Sequence, residues 1–251
     1  MSTIWSASNL AATAIFTALV CVATITFSIY VPSTQGFFNI GESIVFLSAI
    51  LFGPFVGSFA GGVGSMLADL LLGYPHYALA TLVIKGGEGW VVGVLNRKKV
   101  EFHTEYSWKL LTLVLGTIVG FLLAWIGALF YSGEVELSLG LGTFTLYVPQ
   151  WVWIAIGSAL AFSIAVLGII TDPQFGWTVL SVIIGGFVMV LGYFLYQHFL
   201  IYPLFNIPAV AFAEVPINVG QMIVGAAIAL PITKIMWRTL PQLRGRIQPT
   251  Y

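Results

Sequence analysis

Charge is scarce in this chain. Asp, Glu, Lys and Arg make up 7% of its 251 residues and hydrophobic residues 59%, against about 25% and about 45–50% in a soluble domain. That scarcity excludes a soluble helical protein, whose outer helix faces must be polar. Leu110 to Phe130 and Thr178 to Tyr202 carry no such face, and each is long enough to cross a bilayer. Cysteine is nearly absent as well: Cys21 stands alone in an apolar run, which excludes an intrachain disulfide and a thiolate metal site. His76, His103 and His198 are scattered and no HExxH occurs, so no metal is expected. Gly61 to Ser65, GGVGS, lacks the lysine and the spacing of a phosphate loop, and Ser65 lacks the GxSxG of a hydrolase. Any ATP use therefore belongs to another chain. Neither a cofactor nor a nucleic-acid partner is expected.

What is present is an all-α polytopic membrane protein. Apolar runs broken at Gly, Pro and charged clusters predict helices at roughly 8–30, 40–53, 54–73, 78–96, 108–131, 148–170, 177–202 and 210–238. The first is too long for the apolar region of a cleaved signal peptide and is read as retained. The second is short for a span, and is expected to be tilted, re-entrant or shielded by neighbours. With eight crossings and a cytoplasmic amino terminus, Arg97, Lys98, Lys99, Lys109, Lys234, Arg238, Arg244 and Arg246 all fall inside. That leaves Lys85 as the one base at membrane depth.

Lys85 has acidic company. Glu42, Asp69, Glu88 and Glu214 also lie at membrane depth or at its outer edge, where an ionisable group costs at least about 2.5–3.5 kcal/mol at the centre of a helix and so pairs, lines a wet cavity or carries function. Lys85 and Glu88 share a helical face and can pair directly. Glu214, Asn218 and Gln221 form one polar stripe on the last helix. A closed ion pair and interhelical hydrogen bonds would explain any one of these residues; four helices sending polar groups to the same half of the membrane favour a binding cavity. Gly53, Gly57, Gly61 and Ser65 recur every fourth position as a ridge for close helix packing, and Gly86, Gly87, Gly89 and Gly93 do similar service around Lys85.

Gly36 to Leu95 and Gly185 to Ile232 carry G-P-x-x-G, A-D-x-x-x-G-Y, I-K-G-x-E-G and N-x-x-Q in order. In these the chain resembles the substrate-binding membrane subunits, the S components, of energy-coupling factor (ECF) vitamin transporters, in the riboflavin-type branch. The resemblance implies a six-helix core, here residues 1–95 and 177–251, with a helix pair inserted at 96–176. It implies a pocket that opens outward, capped by Phe37, Phe38 and Asn39 after the first helix and lined by Lys85, Glu88, Asn218 and Gln221. Glu42, Asp69, Tyr74, His76 and Glu214 complete the expected substrate-binding set. Also implied is a partner assembly, a membrane scaffold subunit with two ATPases, met by a small-residue patch at Ala14 and Ala18. The bilayer is that of a prokaryotic cell membrane, with both termini cytoplasmic. Acid outnumbers base around the cavity, so a neutral or cationic heterocycle such as riboflavin or a thiamine-related pyrimidine suits it better than a polyanion. A stand-alone carrier using Lys85, Glu88 and Asp69 as a proton relay, or a purely structural membrane protein, remains an alternative on the residues alone.

Overall fold

A computed structural model describes residues 7–31, 36–98, 105–139, 142–170, 173–201, 203 and 211–240. Among them are eight α-helices: α1 (Ala7–Thr26), α2 (Gly41–Phe52), α3 (Pro54–Leu72), α4 (Pro75–Arg97), α5 (Glu105–Phe130), α6 (Gln150–Ile170), α7 (Pro173–Tyr196) and α8 (Ala211–Thr239). A π-helical turn, Gln197–Ile201, continues α7. The predicted helices are all present, with shifted ends. Most of the predicted loop from Tyr202 to Ala209, together with Lys99, Arg244 and Arg246, lies outside the described residues.

Two antiparallel hairpins were not foreseen. The predicted first helix stops four residues early, at Thr26, and Ser28–Val31 (β1) pairs with Gly36–Asn39 (β2) in the register Ser28↔Asn39, Tyr30↔Phe37. Between α5 and α6, Gly133–Leu139 (β3) pairs with Gly142–Val148 (β4) where a loop was expected. The signal is the strict alternation of Glu134, Glu136 and Ser138 with Val135, Leu137 and Leu139, which is strand periodicity. Strand β1 lies against β3, so the two hairpins meet at one end of the bundle. Arg97, Lys98, Lys109, Lys234 and Arg238 all belong to the other end.

Six helices are long and apolar enough to cross a membrane; α2 and the stretch Gln150–Val166 of α6 are shorter. Helix α2 has 12 residues, about 18 Å of rise, against a hydrocarbon core of about 30 Å. It is shielded by its neighbours: ten of its residues, Glu42 and Phe46 to Leu51 among them, are buried against α1, α3, α4 and α8. Its lower end turns at Gly53, whose φ of 88° is one that a side chain disfavours, directly into Pro54 at the first position of α3. The α2 carbonyls left open there are met from α4, Ile50 O by Asn96 Nδ2 at 3.3 Å and Phe52 O by Arg97 at 3.1 Å.

The core sits between α2, α4, α7 and α8, where Phe46, Ile50, Val92, Val182, Met189 and Met222 pack together. The glycine ridge packs α3 on α4 as the spacing predicts: a Cβ on Gly61 would stand 2.8 Å from the Lys85 carbonyl oxygen. Helices α5 and α6 pack mainly on each other and touch the remainder chiefly through α8.

Candidate functional site

Helix α4 enters the bundle at its hairpin end at Pro75, and one of its faces carries Tyr77, Thr81, Lys85 and Glu88 at spacings of four, four and three. Facing it are Asp69 in the last turn of α3, Tyr193 on α7, and Glu214, Asn218 and Gln221 on α8. Phe37 and Asn39 of β2 close the top. Together with Tyr74, all of these residues except Glu88 line a cavity of ≈ 40 Å³, far below the about 300–1,000 Å³ of pockets that surround drug-sized ligands.

The cap is latched to α8. Asn39 donates through its backbone N–H and its Nδ2 to Gln221 Oε1, at 2.7 and 2.6 Å, and Gln221 Nε2 donates to Asn218 Oδ1 at 3.1 Å. The Phe37 ring lies 5.1 Å from that of Tyr74. Helix α7 is tied in by the hydroxyls of Thr81 and Tyr193, 2.9 Å apart, and by Gln197 Nε2, which donates to the Tyr77 hydroxyl at 2.9 Å.

At the floor, Lys85 Nζ lies between two carboxylates. It pairs with Glu42 of α2 and, at 3.3 Å, with Glu88 one turn along its own helix. All three are buried, Glu88 fully. Such a group survives in a low-dielectric interior only because the charges meet one another. Gly225 of α8 permits the close approach, since a Cβ there would stand 2.7 Å from Glu42 Cγ.

Eight of the predicted substrate-binding residues line the cavity: Phe37, Asn39, Asp69, Tyr74, Lys85, Glu214, Asn218 and Gln221. Glu42 and Glu88 stand beneath it, holding Lys85. Phe38 points toward Gly220 of α8 instead, and His76 lies on the outer groove between α4 and α7, where its carbonyl accepts a hydrogen bond from the Tyr196 hydroxyl. Sequence reasoning missed Tyr77, Thr81 and Tyr193. The first two were findable by following the Lys85 face outward in steps of four; Tyr193 had only its hydroxyl in an apolar run to mark it.

Among the cavity-lining atoms, Asp69 Oδ2 and Asn218 Nδ2 have no hydrogen-bond partner among the described residues. Their residues are 4% and 2% exposed. An acceptor and a donor left open in one buried cavity can serve a ligand that presents both a donor and an acceptor. Among the described residues no three His, Cys, Asp or Glu side chains are grouped to hold a metal ion.

An uncharacterised protein of Pyrococcus woesei is 51% identical over 100 residues, 40% of this chain and 64% of that one. The thiamine precursor transporter HmpT of Lactococcus lactis subsp. cremoris is 30% identical over 108 residues, 43% of this chain and 60% of that one. The chain thus spans less than two thirds of either relative. The family model of the ECF-type riboflavin transporter, S component, matches residues 4–139, which take in the cap, Asp69, and the whole α4 face. With more than half of its length so matched, and with a polytopic helical architecture to agree, the chain belongs to the family of ECF-type riboflavin transporter S components.

Proposed function

We propose that this chain binds a small neutral or cationic nitrogen heterocycle of the aminopyrimidine kind, and delivers it as the substrate-specific subunit of an ECF importer. The observation that carries this reading is the polar-walled cavity with Asp69 Oδ2 and Asn218 Nδ2 open on its walls. An amino group beside a ring nitrogen offers one donor and one acceptor, which the open acceptor and the open donor of the cavity can each meet. Tyr74, Tyr77, Tyr193 and Phe37 supply apolar cover for a flat ring. Four acids, Asp69, Glu214, Glu42 and Glu88, stand against Lys85 in and under the cavity, which disfavours phosphates and other polyanions. The likeness to a thiamine precursor transporter favours one ring over the three fused rings of riboflavin.

In this reading the β1–β2 hairpin is a lid. A cavity of ≈ 40 Å³ must widen to admit even one ring, and the Asn39–Gln221 latch is the contact that would open. Residues 96–176 are an addition to a six-helix core. Ala14 and Ala18, both exposed on α1, are the contact for a membrane scaffold subunit that works with two ATPases in the prokaryotic cell membrane.

The test is native mass spectrometry of the purified protein with any co-purifying ligand, followed by calorimetric titration with an aminopyrimidine, thiamine, riboflavin and a nucleotide. One-to-one binding of the aminopyrimidine at sub-micromolar concentration is the expected result. Tighter binding of riboflavin would overturn the assignment of ring size. No binding by any of the four, with uptake in cells that lack ECF ATPases, would favour a stand-alone carrier.

A further inference from the structure

Helices α5 and α6 lie outside the cavity, yet the unit they form with β3–β4 touches two of its walls, the β1–β2 cap and α8. One contact is between hairpins, where β3 lies against β1 of the lid. The other is a single side chain at the junction of α5 and β3: the hydroxyl of Tyr131 donates a hydrogen bond to the Ala213 carbonyl, one residue before Glu214. Tyr131 is 7% exposed and Glu214 5%.

The first turn of α8 is a place where an outside tie matters. Pro216 has no N–H, so the helix lacks its internal bond to the Phe212 carbonyl. The Tyr131 hydroxyl supplies this turn with a tie from another element, at the Ala213 carbonyl. Tyr131 is itself held in place: its carbonyl accepts from Trp153 Nε1 of α6 at 2.8 Å, its backbone N–H donates to Gly127 O at 2.8 Å, and its ring lies 5.8 Å from that of Trp153. A chain of fixed contacts thus runs from α6 through Tyr131 to the turn that carries Glu214 into the cavity.

We infer that the α5–β3–β4–α6 unit is a brace on the ligand pocket, and that Tyr131 is its positioning residue, setting where Glu214 stands against bound substrate. This rests on the reading of the cavity as the substrate site. The brace acts on the closed pocket, so its loss is felt in ligand release and not in ligand capture.

The test is Tyr131→Phe, which removes only the hydroxyl, studied in the full chain in lipid nanodiscs. With the aminopyrimidine as probe, release should be roughly three- to tenfold faster, the range of one hydrogen bond, with the association rate and the binding stoichiometry unchanged. Amide exchange at residues 211–217 should also rise without ligand. Trp153→Phe, which loosens Tyr131 but leaves its hydroxyl, should shift both readouts in the same direction by less, and serves if Tyr131→Phe does not fold. Ser163→Ala, on the exposed side of α6, should change neither. Wild-type protein that binds the probe beside a Tyr131→Phe variant with wild-type release and exchange would overturn the brace and leave the substrate reading standing. Wild-type protein that binds no probe would remove the substrate reading; unaltered exchange at 211–217 would then overturn the brace independently.

Discussion

At the scale of single residues, the buried polar groups divide by what they touch. Asp69 faces the cavity with an oxygen that no described residue meets, so Asp69→Asn should act on ligand and not on fold. A charged hydrogen bond contributes about 1.5–3 kcal/mol, and titration calorimetry should show affinity weakened by roughly 10- to 150-fold. Thermal stability should be retained. Lys85 is different, because it answers two buried carboxylates at once. Lys85→Met leaves Glu42 and Glu88 facing each other without a counter-charge, a loss of about 3–5 kcal/mol, and size-exclusion profiles should show aggregated or depleted protein. The triple variant Glu42→Gln, Lys85→Met, Glu88→Gln should recover a monodisperse peak; if it does not, the three side chains do more than neutralise one another. The pairing of Lys85 with Glu88 was legible in the sequence, since three residues along a helix is fixed geometry. Its pairing with Glu42 was not, because nothing local says which residue of α2 faces α4.

At the scale of elements, helix contacts are set by which glycines face a neighbour. The spacing of Gly53, Gly57, Gly61 and Ser65 announced a close-packed face, and that face is the one α4 occupies. It could not say which of the neighbouring glycines on α4 share the contact. A Cβ on Gly89 would meet the Gly57 carbonyl and stand 3.0 Å from Ser58 N, whereas one on Gly87 meets only Val188 at 3.9 Å. Gly89→Ala should therefore destabilise by about 1–3 kcal/mol through overpacking, while Gly87→Ala should be neutral or slightly stabilising through helix propensity. Thermal unfolding of both in one detergent compares them directly, and equal effects would remove the distinction between the two faces. The hairpins were the least legible elements. No Gly, Pro or charged residue interrupts the run from α1 into β1, so composition extends the helix past its real end at Thr26, although Thr24, Thr26 and Ser28 already alternate with Ile25, Phe27 and Ile29.

At the scale of the molecule, the two ends of the bundle differ in charge, and that asymmetry was legible because it needs only chain order. With Cys21 changed to Ser, a thiol at position 147, on the exposed end of β4, should react with a membrane-impermeant maleimide on intact cells. One at position 98 should react only after permeabilisation; the reverse pattern would invert the molecule and put the cavity on the cytoplasmic side. The short, enclosed α2 has a consequence of another kind. It supplies the Glu42 of the pocket floor, is packed on by four helices and is fastened by Asn96 and Arg97, so the floor tolerates little change. The rim is built from aromatic rings that meet in pairs, Phe37 with Tyr74 at 5.1 Å and Tyr77 with Tyr193 at 6.4 Å, and a pair can be exchanged without touching α2. Divergence of substrate within the family should therefore run through the rim: two members that carry different vitamins should be interconvertible by exchanging rim residues over a common, unaltered base.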